Sequence, residues 1–341
     1  MYMRVISSVG QSYRLITGWS WVQVPDDPPQ NGNLLRKAAV FLFFTENTNM
    51  NQSSSKTGLI LEGGAMRGMY SAGVCDVLME QNITFDGCIG VSAGATFGCN
   101  FKSRQIGRAI RYNCKYSRDP RFGSFRSLLF TGDYFGYQFC YEEIPDKLDP
   151  FDYEAYQSNP MPFYIVCTDA DTGEALYHRA DTCDKRDLTY MRASASMPLF
   201  SRIVEVDGHR LSDGGTADSI PLAWFRTQGY TRNLIVLTRP AGYRKSPSSS
   251  AMNLLLRATQ RKYPALVRAL ENRHIGYNKI LDEIETAEQA GEVLVLRPSR
   301  DLHLSRIEKD PDKLREMYNL GRADAQARLE SIRAFVGQSN V

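Results

Sequence analysis

Residues 58–68 read Gly58-Leu59-Ile60-Leu61-Glu62-Gly63-Gly64-Ala65-Met66-Arg67-Gly68, so an apolar run leads almost directly into a glycine-rich loop. Apolar side chains at helical spacing come next and predict a helix over 69–80. The same succession recurs at Cys88-Ile89-Gly90-Val91, after which a helix is predicted to begin at Ala93. A strand that turns through small residues into a helix is the repeating unit of α/β proteins.

Other apolar runs extend this pattern along the chain, at 163–168, 234–238 and 293–296. Strands that are apolar at every position are typical of parallel sheets covered on both faces. We therefore expect an α/β fold with three layers, α/β/α, around a mainly parallel central sheet. The chain is predicted to end in one amphipathic helix over 312–335.

The composition divides the chain into three parts. Residues 1–57 combine a Pro-Asp-Asp-Pro-Pro stretch with polar clusters, and we expect an N-terminal extension that is flexible or not native, with Met50 as the true start. Residues 58–240 carry the strand and helix alternation and the motifs described below. Residues 241–341 are expected to form a helical and strand region packed on that domain.

Bulk composition is that of a folded globular protein. Of 341 residues, 43% are hydrophobic and 23% charged, and the net charge of +3 gives no reason to expect nucleic acid as a partner. The apolar run 38–44 has only seven residues, short of the ~20 that cross a bilayer. The seven cysteines include no CxxC pair, which favours reduced thiols and a cytoplasmic location.

A candidate nucleophile lies in Gly90-Val91-Ser92-Ala93-Gly94. A serine hydroxyl is a weak nucleophile until a strained turn exposes it beside a base, and a strand-to-helix elbow with flanking glycines provides such a turn. The following helix would aim its first amides at the site, so the Ala93 N–H is a candidate donor to a developing oxyanion.

The loop 63–68 offers a second set of backbone donors. Its small residues allow the amides of Gly63, Gly64 and Ala65 to point into one concavity, an anion-binding nest. The glycine spacing fits neither dinucleotide nor P-loop patterns, which favours an oxyanion hole over a nucleotide site. Arg67 either holds this loop or adds positive potential to the site.

Two kinds of base remain open for Ser92. A serine–histidine–acid triad in hydrolase order requires a downstream histidine, and His274 and His303 follow the candidate acid Asp213. Neither histidine lies in a recognisable loop pattern. Asp213-Gly214-Gly215 has two glycines that let the backbone approach closely, and an aspartate within hydrogen-bond reach of the hydroxyl can act as the base itself.

The three motifs together resemble the patatin-like phospholipase family, whose pattern is G-G-[GA]-x-[RK]-G, then G-x-S-x-G, then a distant D-G-[GA]. Residues 63–68, 90–94 and 213–215 match in this order. Residues 193–200 are similar to a further family segment, A-S-x-A-x-P-x-x-F, but have Ser196 where alanine is usual and one residue fewer before Phe200.

The resemblance implies a serine acyl hydrolase of phospholipids or other lipid esters, with 58–240 as the catalytic domain. It implies a Ser92–Asp213 dyad, an oxyanion hole of Gly63, Gly64, Ala65 and Ala93, and no metal or other cofactor. The supporting loop positions are Arg67, Gly68, Gly90, Gly94, Gly214 and Gly215. The alternatives are a histidine-dependent esterase or acyltransferase and a non-catalytic lipid-binding protein on the same fold.

Charge is distributed unevenly. Segment 102–126 has eight basic residues and one acid, 226–279 has eleven basic residues and one acid, and 133–174 has ten acids and one lysine. One interpretation is peripheral contact of the basic, aromatic-rich segments with an anionic membrane surface. The other is charge balance between the segments in the folded protein. The head group, the acyl chain and the oligomeric state do not follow from the sequence.

Overall fold

The computed structural model describes residues 15–17, 20–22 and 56–337. The chain divides into a unit over 1–54 and a unit over 55–341. In the first unit, strands β1 (Leu15–Thr17) and β2 (Ser20–Val22) pair antiparallel. Most of the expected extension 1–57, including Met50, lies outside the described residues, so that expectation stays a prediction.

The second unit is built on an eight-stranded sheet. Five neighbouring strands, β10-β9-β3-β4-β5, run parallel, whereas β6 and β8 pair antiparallel with β5, and β7 with β8. The strands are β3 Lys56–Leu61, β4 Gly87–Val91, β5 Phe163–Asp169, β6 Ala175–Arg179, β7 Val204–Val206, β8 His209–Asp213, β9 Tyr230–Val236 and β10 Val293–Leu296. The prediction of a mainly parallel sheet is confirmed.

Helices cover both faces of this sheet. They are α1 Met69–Glu80, α2 Ala93–Lys102, α3 Arg108–Tyr116, α4 Phe125–Thr131, α5 Tyr153–Ser158, α6 Lys185–Ser194, α7 Leu222–Thr227, α8 Ser250–Thr259, α9 Pro264–Gln289, α10 Pro311–Ala327 and α11 Leu329–Val336. Phe139–Leu148 is π-helical. Within the described part of the chain, no helix is both long and apolar enough to cross a membrane.

Successive side chains of β3 pack against helices on opposite faces of the sheet. Leu59 and Leu61 belong to an apolar cluster with residues of α1, α2 and α10, whereas Ile60 packs in a second cluster with residues of α7 and α9. Successive strand side chains point to opposite faces, so each parallel strand contributes to both cores. The α/β/α architecture is thereby confirmed.

The predicted C-terminal helix over 312–335 is wrong in one respect, because the structure has two helices there. Helix α10 ends at Ala327, and Arg328, with φ −108° and ψ 10°, leaves the helical region before α11 begins. The Arg328 amide donates to the Ala325 carbonyl, three residues back, as in a tightened last turn. Ile332 is buried in the core, but Phe335 is only partly covered.

Part of the basic segment 102–126 is paired with acids inside the fold. Lys102 and Arg108 are buried, and both Arg108 and Arg111 lie within salt-bridge distance of Asp149. Arg121 pairs with acids on its own loop and on 133–174. The acidic segment therefore balances three of the eight basic residues of 102–126.

Candidate active site

Ser92 occupies a strained elbow between β4 and α2. Its backbone has φ 53° and ψ −118°, a conformation that residues with a side chain rarely adopt, and its side chain is almost completely buried. A Cβ at Gly90 would lie 2.5 Å from the Gly94 carbonyl oxygen, and one at Gly94 would collide with the Leu61 carbonyl. The flanking glycines are therefore required by close backbone packing around the turn.

Ser194 holds the backbone of this elbow in place through hydrogen bonds. The Ser92 amide donates to the Ser194 hydroxyl oxygen at 2.8 Å, and that hydroxyl donates to the Val166 carbonyl at 2.5 Å. Ser194 is fully buried at the end of α6. The sequence marked its segment 193–200 as family-like but did not identify Ser194 as a positioning residue.

Strand register brings Asp213 to Ser92. Val91, at the end of β4, pairs with Val166, whereas Asp213, at the end of β8, pairs with the next residue of β5, Cys167. The ends of two strands of opposite direction thus meet against one strand. The Ser92 side chain lies close to the Asp213 carboxyl group, whose pKa it lowers, and both residues line one cavity.

The surroundings of Asp213 change its acidity in opposite directions. Burial is the largest effect and raises the pKa of this carboxyl group above its ordinary value. Four neighbours oppose this rise in the pKa. The largest opposing effect is the positive charge of Arg273, followed by the side chain of Ser92, the Gly215 amide and the charge of Arg306. The Gly215 amide donates to Asp213 Oδ1 at 2.9 Å. The result is a buried carboxylate of raised basicity.

The predicted oxyanion loop lies against the elbow. A Cβ at Gly63 would lie 2.9 Å from Ser92 Cβ, and one at Gly68 would lie 2.8 Å from Ala93 Cβ. Ala65 has a positive φ of 50°, which turns the chain into a short 3-10 segment, Ala65–Gly68. Among the described residues, no backbone group accepts a hydrogen bond from the amides of Gly63, Gly64, Ala65 or Ala93.

The structure brings most of the predicted site residues to one place. Ser92 and Ala65 line two cavities, and the larger one also includes Gly63, Gly64, Arg67, Asp213 and Gly215. Gly68, Gly90, Gly94 and Gly214 lie in the backbone packing around them; a Cβ at Gly214 would collide with the Val166 carbonyl. Arg67 is buried and faces the larger cavity.

The two candidate histidines, His274 and His303, do not form a triad with Ser92 and Asp213. The side chain of His303 is 87% exposed and lies beside Asp301. His274 lines the larger cavity, but its Nδ1 lies 3.0 Å from the Glu271 carbonyl oxygen. Among the described residues, no histidine nitrogen is hydrogen-bonded to Ser92 or Asp213.

Two cavities of different character meet at Ser92. One, of about 130 Å³, is mainly apolar, and its lining includes Phe97, Tyr112, Phe122, Phe135, Ile144 and Met191. The other, of about 510 Å³, is rich in basic side chains. The sequence missed four of them, Arg239, Lys245, Arg273 and Arg306; its only signal was the basic excess in 226–279, which includes the first three.

Comparisons with known proteins show which proteins this chain is similar to. Residues 59–225 match the model of the patatin-like phospholipases, and residues 263–337 match a domain of unknown function, DUF6363. The uncharacterized protein YjjU of Escherichia coli is 25% identical over 78% of this chain and 75% of its own length. Lysophospholipase nte1 of Emericella nidulans is 25% identical over 81% of this chain but only 18% of its own.

Among solved structures, VipD from Legionella pneumophila is similar over 81% of this chain and 67% of its own, with a TM-score of 0.40 and 10% identity. The family match spans β3 to α7, and it contains the glycine-rich loop, Ser92 and Asp213. Residues 59–225, which carry all three motifs, thus match the patatin-like phospholipase family.

Proposed function

We propose that this protein is a serine acyl hydrolase that cleaves the acyl ester bonds of phospholipids or related lipids. The family match supports lipid hydrolysis in general. The observation that carries the finer proposal is the proximity of the strained Ser92 to the buried Asp213 carboxyl group in one cavity. Beside them, the amides of Gly63, Gly64, Ala65 and Ala93 donate to no backbone group among the described residues. Nucleophile, base and oxyanion donors are thus available around one point.

In the first half of the reaction, Ser92 Oγ attacks the ester carbonyl carbon while its proton moves to Asp213. The carbonyl oxygen becomes an oxyanion, and the amides of Gly63, Gly64, Ala65 and Ala93 donate to it. When the tetrahedral intermediate collapses, the bond to the alcohol oxygen breaks. Asp213 returns the proton to that oxygen, which leaves an acyl group on Ser92.

Water completes the cycle. Asp213 accepts a proton from the water molecule as its oxygen attacks the acyl carbon, and the same amides again hold the oxyanion. Collapse breaks the bond to Ser92 Oγ, which takes the proton back from Asp213. The products are the carboxylic acid and the regenerated enzyme.

The apolar cavity supports a lipid acyl chain as the group transferred. It opens at Ser92 and is bounded by aromatic and aliphatic side chains such as Phe97, Phe122 and Ile144. The cationic side chains within its lining are neutralised, because Arg108 lies near Asp149 and Arg192 near Asp133. Such a lining favours a hydrocarbon chain over a polar acid.

The test is intact-mass analysis after exposure to an organophosphonate probe. Wild type is expected to gain one phosphonyl group, and Ser92→Ala and Asp213→Asn to gain none. His274→Ala and its matched control His303→Ala are expected to label like wild type. Full labelling of Ser92→Ala would refute the proposal, and labelling lost in His274→Ala but retained in Asp213→Asn would favour a histidine-dependent esterase.

Peripheral contact with an anionic membrane surface is supported by α4. Its side chains Phe125, Leu129 and Phe130 are 64%, 79% and 76% exposed, and the Arg126 guanidinium lies over the Phe130 ring. Exposed aromatic and aliphatic groups beside a cation suit a lipid interface. We expect Leu129→Ser with Phe130→Ser to reduce co-sedimentation with phosphatidylglycerol vesicles; equal sedimentation of variant and wild type would contradict this.

A further inference from the structure

The larger cavity beside Ser92 contains an unusual group of basic side chains, here called the cation cluster: Arg67, Arg239, Lys245, Arg273 and Arg306. Among the described residues, no carboxylate oxygen lies within 4.0 Å of their cationic nitrogens. Arg244, on the same rim, differs because it pairs with Asp282 at 2.7 Å. The cluster is therefore a concentration of positive charge without carboxylate partners.

Buried donors in this cavity also lack partners. Arg67 Nε, Arg273 Nε and Thr216 Oγ1 are inaccessible to solvent and make no hydrogen bond within the described part of the chain. The residues Arg67 and Thr216 are only 9% and 4% exposed. Native proteins rarely leave such groups unsatisfied, and one explanation for an exception is a ligand that supplies the partner.

The acids of the cavity do not neutralise the cluster. Among the described residues, Glu62 and Asp213 are the only carboxylates in its lining, and Glu62 already accepts hydrogen bonds from Thr238 and Tyr277. Five basic side chains thus face two carboxylates. Burial, together with the positive charge of neighbouring arginines, lowers the pKa of Lys245 to about 7 and that of Arg67 to about 10.

We propose that the cation cluster binds the phosphate of an anionic lipid head group, and that the enzyme prefers phosphate-monoester lipids to zwitterionic ones. A phosphate monoester carries about −1.5 to −2 charges at pH 7, and arginine forks match its oxygens in pairs. The ammonium group of a zwitterionic lipid would instead enter a cavity of like charge. This inference rests on the proposed acyl hydrolase function.

The position of the cluster suits such a substrate. Ser92 lines both the apolar cavity and the cavity of the cation cluster, so an ester carbonyl at Ser92 could have its acyl chain in one and its phosphate in the other. The chain beyond the family match contributes most of the cluster. Arg273 on α9 and Arg306 in the loop before α10 both belong to the region that matches the domain of unknown function.

A backbone contact ties that region to the catalytic loop. The Met66 amide, in the 3-10 turn of the oxyanion loop, donates to the Arg306 carbonyl at 3.3 Å. Arg273 Nη2 lies 3.4 Å from Ser219 Oγ, close to the turn that follows Asp213. The role that we assign to residues 263–337 is therefore to supply head-group contacts directly at the reacting centre.

The test compares soluble short-chain phosphatidate, phosphatidylcholine of the same chain length and p-nitrophenyl butyrate as a neutral ester. Wild type should have a higher kcat/KM for phosphatidate than for phosphatidylcholine. In Arg273→Met or Arg306→Met, the ratio of kcat/KM for phosphatidate to that for the neutral ester should fall at least about tenfold. Arg273→Lys should recover part of the ratio, and Arg315→Met, an exposed arginine elsewhere, should not change it.

Because the readout is a ratio, an effect of these variants on the basicity of Asp213 cancels. Arg306 lies at the exposed mouth of the cavity, so Arg306→Met remains informative if Arg273→Met fails to fold. Equal kcat/KM for the two phospholipids, or an unchanged ratio in both variants, would overturn the head-group assignment while Ser92-dependent cleavage of the neutral ester persisted. Absence of Ser92-dependent cleavage of every ester would refute the hydrolase proposal itself.

Calorimetric titration with inorganic phosphate separates a lipid head group from a free anion. Wild type should bind phosphate, and Arg273→Met should weaken that binding at least about tenfold, with Arg315→Met unaffected. Phosphate binding that depends on Arg273, together with an unchanged ester ratio, would mean that the cluster holds free phosphate, and would overturn the head-group assignment.

Discussion

The backbone strain at Ser92 predicts an inverted effect of glycine on stability. With φ 53° and ψ −118°, Ser92 lies where a Cβ is disfavoured, and such a conformation costs about 1–3 kcal/mol. Replacing Ser92 by glycine relieves that strain, whereas replacing it by alanine does not. Both variants lose the same hydroxyl and its interaction with Asp213, so these losses cancel when the two are compared.

The expected difference follows from two opposing effects. Relief of strain contributes about 1–3 kcal/mol in favour of glycine, and the greater conformational freedom of glycine in the unfolded chain removes about 0.5–1 kcal/mol. We therefore expect Ser92→Gly to be more stable than Ser92→Ala by about 1 kcal/mol, within a range of about 0–2.5 kcal/mol. At an ordinary helical position the sign is the opposite, and glycine is about 1 kcal/mol less stable than alanine.

Urea unfolding followed by circular dichroism measures this difference, provided that the two variants unfold with the same denaturant dependence. Ala323→Gly, on the exposed side of α10, is the matched control and should destabilise the protein by about 1 kcal/mol. If Ser92→Gly proved less stable than Ser92→Ala while the control behaved as expected, the elbow would not be strained. The assignment of Ser92 to a nucleophile turn would then lose its physical basis.

Three further predictions concern the groups around Ser92. Burial raises the folded-state pKa of Asp213, so its protonated form adds stability at low pH that is lost as the pH rises through this pKa. Asp213→Asn should therefore unfold at a higher urea concentration than wild type at pH 7. The difference between the two urea midpoints should narrow towards pH 4. Ser194→Ala removes the partners of the Ser92 amide and the Val166 carbonyl, so it should lower the free energy of unfolding by about 1–3 kcal/mol and slow phosphonate labelling. Gly63→Ala places a Cβ 2.9 Å from Ser92 Cβ, displaces the oxyanion donors and should lower kcat about 10²–10³-fold, which a neutral ester assay measures.

Local sequence accounts for the elbow at Ser92 and for the glycine-rich loop, but not for the position of Asp213 beside them. The turn at Ser92 follows from a strand, two glycines and a helix start that are contiguous in the chain. Asp213 reaches Ser92 only because β8 pairs antiparallel with β5 in one particular register. That pairing is a non-local property of the sheet, and only the family resemblance gave it in advance.

The partners of the basic side chains could not be predicted from the sequence either. Composition revealed the charge excess in 102–126 and in 226–279, but not which side of each element faces solvent. In the first segment Arg108 is buried against Asp149, whereas in the second Arg273 points to the cavity of Ser92. Two stretches of similar composition thus have opposite roles, because tertiary packing sets their partners.

The proposed acyl hydrolysis gives one explanation for the polar groups of the site that lack partners among the described residues. Among the described residues, the amides of Gly63, Gly64 and Ala65 donate to no backbone group, Asp213 is buried, and the cation cluster has no carboxylate oxygen within 4.0 Å. Each of these features destabilises the unliganded fold, and a protein of marginal stability tolerates few of them. The amides gain most when the neutral carbonyl becomes an oxyanion, so their contribution is greater in the transition state than in the ground state.

The basicity of Asp213 depends on a balance within this set. Burial makes the carboxylate a stronger proton acceptor, but burial alone would also favour its protonated form, which cannot accept a proton from Ser92. The positive charges of Arg273 and Arg306 oppose that protonation without a direct ion pair, which would hold the carboxylate away from the hydroxyl. The same cations that would hold a phosphate therefore also oppose protonation of the proposed base, although burial keeps the net shift of its pKa upward.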